Sequence, residues 1–315
     1  MKKNGTQMEN TKTNSVTKFN GLIEASYRLS LNEARIVLYG ISLINPTSKN
    51  FPLEFKIDIK RFAEMFNIES HNVYSIVKQA AMDKFWEREF TFQTEKKKKM
   101  RVRWLTGIEY GDSLGYLKIF INPQLKPFLH QLQLIGGNFT KYYLDNIANF
   151  KSIYSVRFYE IAIMELRRSK QKKHTFSLEI EEIKKRLDIQ DKYKRFSNLK
   201  ASILEPARKE INKNSNIRLN YEVIKLSRSP HKIEFIVSEN SKKQLELTTL
   251  KKSNLPKLST VTIEKAKKII QDAGTRWDIY VIIEQFHEYM AKKGVPNDIN
   301  AALIGFVKKK VVTPP

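Results

Sequence analysis

Histidine is the side chain most often found in catalytic and metal sites, and this chain has five: His71, His130, His174, His231 and His287. None stands in an HxH or HExxH spacing, so the pattern points to no metal centre. It also argues against a histidine-metal nuclease that nicks DNA through a tyrosine. There is no GxxxxGK[ST] loop to cradle nucleoside phosphates and no serine nucleophile elbow. Cysteine is absent, which excludes thiol nucleophiles, thiolate zinc sites and disulfides, and fits a reducing compartment. The adjacent acids Glu181 and Glu182 share a helix with Lys184, Lys185 and Arg186 and read as a solvated charged face. The expectation is a protein that is not an enzyme and uses no metal and no cofactor.

A different chemistry is written in YKRFSNLKASILEPARKEIN, Tyr193 to Asn212. On a helical wheel Phe196, Leu199, Ile203, Ala207 and Ile211 share one face and should pack inward. The opposite face collects Lys194, Arg195, Asn198, Ala201, Ser202, Glu205 and Lys209. Arg195 can bond guanine with two donors and Asn198 can pair with adenine, while the lysines suit phosphates. Small side chains at 201 and 202 let the backbone come close to base edges. Pro206 sits inside this helix although an interior proline costs about 3 kcal/mol. Its missing N–H frees the carbonyl of Ser202, and a bend there would separate 194–202 from the half carrying Lys209 and Ile211.

Other stretches suit the same partner less specifically. An earlier helix exposes His71, Ser75, Lys78, Gln79 and Met82. The run Lys96, Lys97, Lys98 and Lys99, with Arg101 and Arg103 beyond it, would make a phosphate-gripping hairpin tip. A later turn, RSPH, offers Arg228, His231 and Lys232 around Pro230.

These residues need elements to hold them. Ser30 and Glu33 form a capping box for SLNEARIVLYGISLI. FKIDIKRFAEMFNI (55–68) reads as a short strand running into a helix, and Ser70 can cap the helix after it. Alternating strands follow, broken at EKKKK and GDSLG. The second half repeats the order: a helix over 155–167, FSLEIEEIKKRLDI (176–189) as strand and helix, the basic helix, then a hairpin. Phe55 matches Phe176, Ile57 Leu178, Asp58 Glu179, Ile59 Ile180 and Ile68 Ile189 at one constant offset. Arg35 and Arg157 fall at nearly the same offset. A duplicated unit follows. Helix, turn, helix and basic hairpin describe a winged helix, whose second helix enters the major groove.

The expected fold is therefore α+β: two tandem winged-helix domains and a small C-terminal helical segment. Residues 1–18 are polar and expected to be flexible. The first winged-helix domain spans 19–135 and the second 136–240, joined near Gly136 and Gly137. A lysine-rich linker covers 241–259 and helices occupy 260–315. There, Thr262 can cap one helix and Thr275 with Asp278 a second. Gly274 and Gly294 mark helix ends, and Ile279, Ile282, Ile283, Phe286 and Met290 line an apolar face.

The charge agrees. Lys and Arg number 57 against 33 Asp and Glu, a formal net charge of +24. Such an excess repels itself unless a polyanion shares the load, and nucleic acid is the leading candidate. The N-terminus lacks the apolar core of a signal peptide, and no apolar run approaches a bilayer span. The expected location is the cytoplasm, with no membrane partner.

NFKSIYSVRFYEIAIMELRR, FSLEIEEIKKRLDI and YKRFSNLKASILEPARKEINKNSNIRLNYEVIK together resemble the iteron-binding plasmid replication initiator (Rep) family. The resemblance is carried by Tyr154, Ser155, Arg157 and Tyr159, then Tyr193 and Phe196, then Leu204, Pro206, Ala207, Glu210, Ile211 and Asn212. NSVTKFNGLIEASYRLSLNEARIVLYGISLI is similar to that family's first domain. The likeness covers about residues 15–240 and leaves the C-terminal segment unassigned. It implies a bacterial initiator whose monomers bind double-stranded DNA at directly repeated origin sequences (iterons). It further implies help in opening an AT-rich stretch and recruitment of the host helicase or initiator. Dimers joined through the first domain would repress their own promoter, and copy number would follow. The family's main groove contacts map onto 193–212, with accessory contacts from the first domain. The rival reading is a dedicated transcriptional repressor with no replication role.

Overall fold

The computed structural model describes residues 14–44, 50–93, 99–111, 115–130, 132, 138–240, 258–275, 279, 282–283, 285–286, 289–290 and 296–311. Residues 13–243 form one compact unit, and residues 244–315 belong to another together with 1–12.

Within the larger unit the same short pattern is built twice. In the first copy β3 (Glu54–Asp58) leads into α3 (Ile59–Phe66) and α4 (Ser70–Met82), and the strands β6 (Leu105–Tyr110) and β7 (Tyr116–Ile121) close it. In the second, β9 (Lys173–Glu179) leads into α7 (Ile180–Arg186) and a longer helix over 196–214, closed by β10 (Ile217–Leu226) and β11 (Ser229–Glu239). The sheet orders are β3-β7-β6 and β10-β11-β9, so the last strand lies in the middle both times. Even the helix stops correspond. Asn67 (φ 50°) and Asp188 (φ 54°) are left-handed, a conformation their short polar side chains tolerate. Each lets the next isoleucine reach back, Ile68 N–H to the Ala63 carbonyl and Ile189 N–H to that of Lys184, both at 2.9 Å.

Pairing beyond the local pattern divides the strands broken at EKKKK and GDSLG between two sheets. The hairpin that contains the lysine run, β4 (Glu89–Gln93) and β5 (Lys99–Arg103), is an insertion between α4 and β6. It forms a separate sheet with β2 (Ser26–Tyr27), in the order β2-β4-β5. The first copy's wing is instead β6–β7, whose tip closes at Gly115 with φ 66°.

Of the segment 1–18, expected to be flexible, residues 1–13 lie outside the described residues and the end is corrected. Ser15–Phe19 is strand β1, paired antiparallel with β8 (Phe139–Tyr143). The two strands are copies of each other: VTKF (16–19) aligns with FTKY (139–142). The pair Thr17–Lys141 is therefore matched by the pair Thr140–Lys18, the signature of a two-fold relation between the copies. Two arginines obey it as well. Arg35, on α2 (Leu31–Ser42), donates to the carbonyl of Phe150 ahead of α6 (Ile153–Ser169), at 3.0 Å. Arg157, on α6, donates to the carbonyls of Ile23 and Ala25 ahead of α2, at 3.0 and 2.9 Å.

One hydrophobic core runs through both copies, from Val16 and Leu22 to Phe235 and Val237. Buried in it is a charged cluster present on one side of the two-fold only. Glu160, 1% exposed, pairs with Lys18 at 2.5 Å and accepts from Tyr142. Arg157 bonds the Tyr27 hydroxyl and lies 3.4 Å from Glu160. Burial pushes the Glu160 carboxyl up, but Lys18 and Arg157 outweigh it and hold the group below the usual glutamate range.

Caps follow the expectations unevenly. The Ser30–Glu33 capping box is present on α2, and Glu33 also holds Arg88 at 3.0 Å. Ser70 does not cap α4; it is the first helical residue, after Glu69, and no side chain caps that end. In the C-terminal unit Ser259, not Thr262, caps the helix Thr260–Asp272, accepting from the Thr262 N–H. Asp278 and Gly294 lie outside the described residues; Gly274, with φ 62°, ends the first helix. Ile279, Ile282, Phe286 and Met290 are buried with Ala266, Ile270, Leu303 and Val307, and Ile283 is partly buried against them.

Candidate nucleic-acid interface

The basic helix owes its position to the strands behind it. Leu199, Ile203, Ala207 and Ile211 are buried as expected, with Phe196 half-buried. Two polar ties lock it to β10. Asn212 pairs with both backbone groups of Leu219, donating at 3.0 Å and accepting at 2.6 Å. Glu205 accepts from Tyr221 at 2.6 Å and from Arg208 at 3.0 Å. The Tyr221 and Arg208 bonds hold the Glu205 carboxyl below its usual range; burial and the same bond push the Tyr221 hydroxyl up. Glu205, counted on the reading face from the sequence, is thus half-buried and structural.

The helix is not continuous. Tyr193 is left-handed (φ 51°), Arg195 precedes the first turn, and Phe196–Leu199 are α-helical. Lys200–Leu204 then form a π-helical turn, and Glu205–Asn214 resume the α-helix with Pro206 in its first turn. Proline is absorbed by widening one turn, since Pro206 has no N–H to give and its ring would strike the carbonyl four residues back. The extra residue also buries Leu204, 2% exposed, beside Ile203.

Lys194, Arg195, Asn198, Ala201, Ser202 and Lys209 are all exposed. So are Ser197 and Lys200, which the wheel did not single out because an undisturbed helix turns them aside from its centre. The wing's turn is Ser227–Arg228, with Ser227 left-handed at φ 56°, while Ser229 and Pro230 already belong to β11. Arg228 and His231 are exposed and Lys232 half-buried. Lys225, also exposed on the wing, was hidden in an alternating run.

In the first copy His71, Ser75, Lys78 and Gln79 are exposed along α4. The Ser75 hydroxyl is spent on the Asn72 carbonyl at 2.9 Å, and His71 lies 3.3 Å from Glu69. The side chain of Met82 and residues Lys96, Lys97 and Lys98 lie outside the described residues, as does the side chain of Lys99. Arg101 is paired with Glu89 at 2.6 Å, and Arg103 lies over the Trp86 ring at 5.5 Å. Among the described residues no three His, Asp or Glu side chains gather to hold a metal, and no helix is long and apolar enough to cross a membrane.

Two winged helices in tandem, each with a helix presented beside a hairpin, define a nucleic-acid-binding architecture. Comparison with known proteins is specific. Residues 15–163 match the family model described as initiator replication protein, WH1, and residues 179–237 match initiator Rep protein, WH2. Together the matches span well over half of the chain, which belongs to this family of replication initiators. Over 211 residues it is 26% identical to a replication initiation protein of Escherichia coli, taking in 65% of this chain and 64% of that protein. The chain thus spans less than two thirds of that relative's length. The fold is similar to that of the Pi initiator protein, solved in complex with iteron DNA, with a TM-score of 0.63. That match has 20% identity and covers 73% of this chain and 99% of the other.

Proposed function

We propose that this chain starts plasmid replication by binding directly repeated sequences in double-stranded origin DNA, without itself catalysing a reaction. The observation that carries the reading is the exposed face of the second copy's basic helix, where Arg195, Asn198, Ala201 and Ser202 combine base-reading donors with close-approach residues. Lys194, Lys200 and Lys209 flank them for phosphates, and Arg228, His231 and Lys232 extend the grip from the wing. The first copy, over 19–135, adds accessory contacts through His71, Ser75, Lys78, Gln79 and the hairpin residues 96–103. The second, over 136–240, makes the main ones.

Three further parts of the proposal come from the family. They are dimerisation through the first domain with repression of its own promoter, opening of an AT-rich stretch, and recruitment of the host helicase or initiator in the bacterial cytoplasm. Hydroxyl-radical footprinting on the parent plasmid should show protections phased evenly over direct repeats. Binding indifferent to those repeats would overturn the reading. Incubation with supercoiled origin DNA and a divalent metal should leave no covalent protein–DNA adduct; an adduct would make the protein a nicking enzyme.

A further inference from the structure

The π turn over Lys200–Leu204 changes which backbone groups the basic helix offers. In an undisturbed α-helix the carbonyl of Ala201 would accept from the N–H of Glu205, four residues on. Here the Glu205 N–H goes to Lys200 instead. The acceptor's other possible partner, five residues on, is position 206, and proline has no N–H. Ala201 therefore carries a carbonyl with no partner inside its helix. The carbonyl of Ser202 also loses its α-helical partner, since position 206 has no N–H, but the N–H of Ala207, five residues on, can still serve it. Both residues are exposed, and both carry small side chains that leave the backbone approachable. They lie between Asn198 and Lys209 on the face proposed to enter the groove.

An unpartnered carbonyl must find a donor, and water supplies one in the free protein. Against nucleic acid the choice narrows. Phosphate oxygens are acceptors and negatively charged, so a bare carbonyl facing them would be repelled. In the major groove the donors are the exocyclic amino groups, N4 of cytosine and N6 of adenine. We infer that the carbonyl of Ala201, released by the π turn and Pro206, reads an amino group of cytosine or adenine at one position of the recognised site. This rests on the DNA-binding role proposed above. It gives Pro206 a task in specificity, through a backbone group it leaves free.

The test is a donor scan of a footprinted repeat. Each adenine is replaced in turn by purine, and each cytosine by pyrimidin-2-one, which removes only the exocyclic amino group. For the wild-type chain the adenine proposed to pair with Asn198 should be sensitive, and one further position should lose roughly tenfold in affinity. Arg195→Ala and Asn198→Ala should leave that sensitivity in place, and so should Ser202→Ala, which removes the hydroxyl but keeps the carbonyl. Pro206→Ala restores an N–H and lets the turn close to an α-helix, so its affinity should no longer depend on that amino group. A scan with no sensitive position in the wild type overturns the inference, and that result does not depend on any variant folding. So does a scan in which no sensitivity survives Asn198→Ala or Ser202→Ala, or one in which the further position stays sensitive in a folded Pro206→Ala. If Arg195→Ala and Asn198→Ala leave binding to the repeat unchanged, the placement of this helix in the groove fails instead.

Discussion

Arg195 and Asn198 differ from their basic neighbours in what they can distinguish. A guanidinium placed before the first turn of a helix can present two donors to one guanine, whereas Lys194 and Lys209 can only meet charge. Arg195→Ala should therefore cost about 1–3 kcal/mol on the cognate repeat and relax discrimination at one base pair, measured by titration against single-base variants. Equal weakening on random DNA would assign Arg195 to a phosphate. Replacing Lys97 and Lys98 together should lower affinity for every sequence alike and flatten the dependence of log K on log salt. An unchanged slope would remove that tip from the interface. The exposure of Lys194, Arg195, Asn198 and Lys209 was legible in the sequence because a wheel needs only spacing. Glu205 was not: its bond to Tyr221 joins residues that meet only once β10 folds back on the helix.

At the scale of elements, the tie between the basic helix and the wing is small and specific. Tyr221→Phe removes the 2.6 Å bond to Glu205 and keeps the ring on the core. It should cost about 1 kcal/mol of stability in denaturant unfolding. It should also weaken binding on the cognate repeat more than on random DNA, because the wing then loses its fixed angle to the helix. Identical losses on both would show that the tie serves stability alone. The repeat of strand, helix and helix could be read from matched residues at a constant offset, whereas the matching left-handed stops at Asn67 and Asp188 show only in the backbone. The wing of the first copy could not. β4–β5 and β6–β7 both alternate, and only long-range pairing decides that β7, rather than β4, lies beside β3. The π turn escaped for a related reason. A proline in a helix announces a lost hydrogen bond, but kinking and widening both answer it.

For the larger unit as a whole, the charged cluster around Glu160 joins the two copies. Lys18 comes from β1 and Tyr27 from β2, whereas Arg157 and Glu160 come from α6. Removing one member leaves a buried partner uncompensated, so Glu160→Gln should destabilise the unit by about 3–5 kcal/mol. The pH dependence has a definite sign. The folded Glu160 carboxyl lies below its ordinary value of 4.5, so its contribution is present above that value. It is lost as pH falls through the lower, folded value. Acid unfolding followed by circular dichroism should be shallower below pH 4.5 in Glu160→Gln than in the wild type. Parallel acid limbs would show that the cluster does not couple to folding. Nothing local in VTKF or in SVRFYE announces this cluster, since it exists only once β1 has paired with β8 across the two-fold.

The duplicated winged helices, the charge of +24 and the exposed face of the basic helix support the proposed sequence-specific binding of repeated origin DNA. The most direct measurement is the ratio of affinities for an origin repeat and for a scrambled duplex of equal length, at one fixed salt concentration. A ratio of about 10³ or more is expected. The double variant Arg195→Ala, Asn198→Ala should collapse it while leaving affinity for the scrambled duplex nearly unchanged. A ratio near one in the wild type, or one that the double variant does not reduce, would contradict the account.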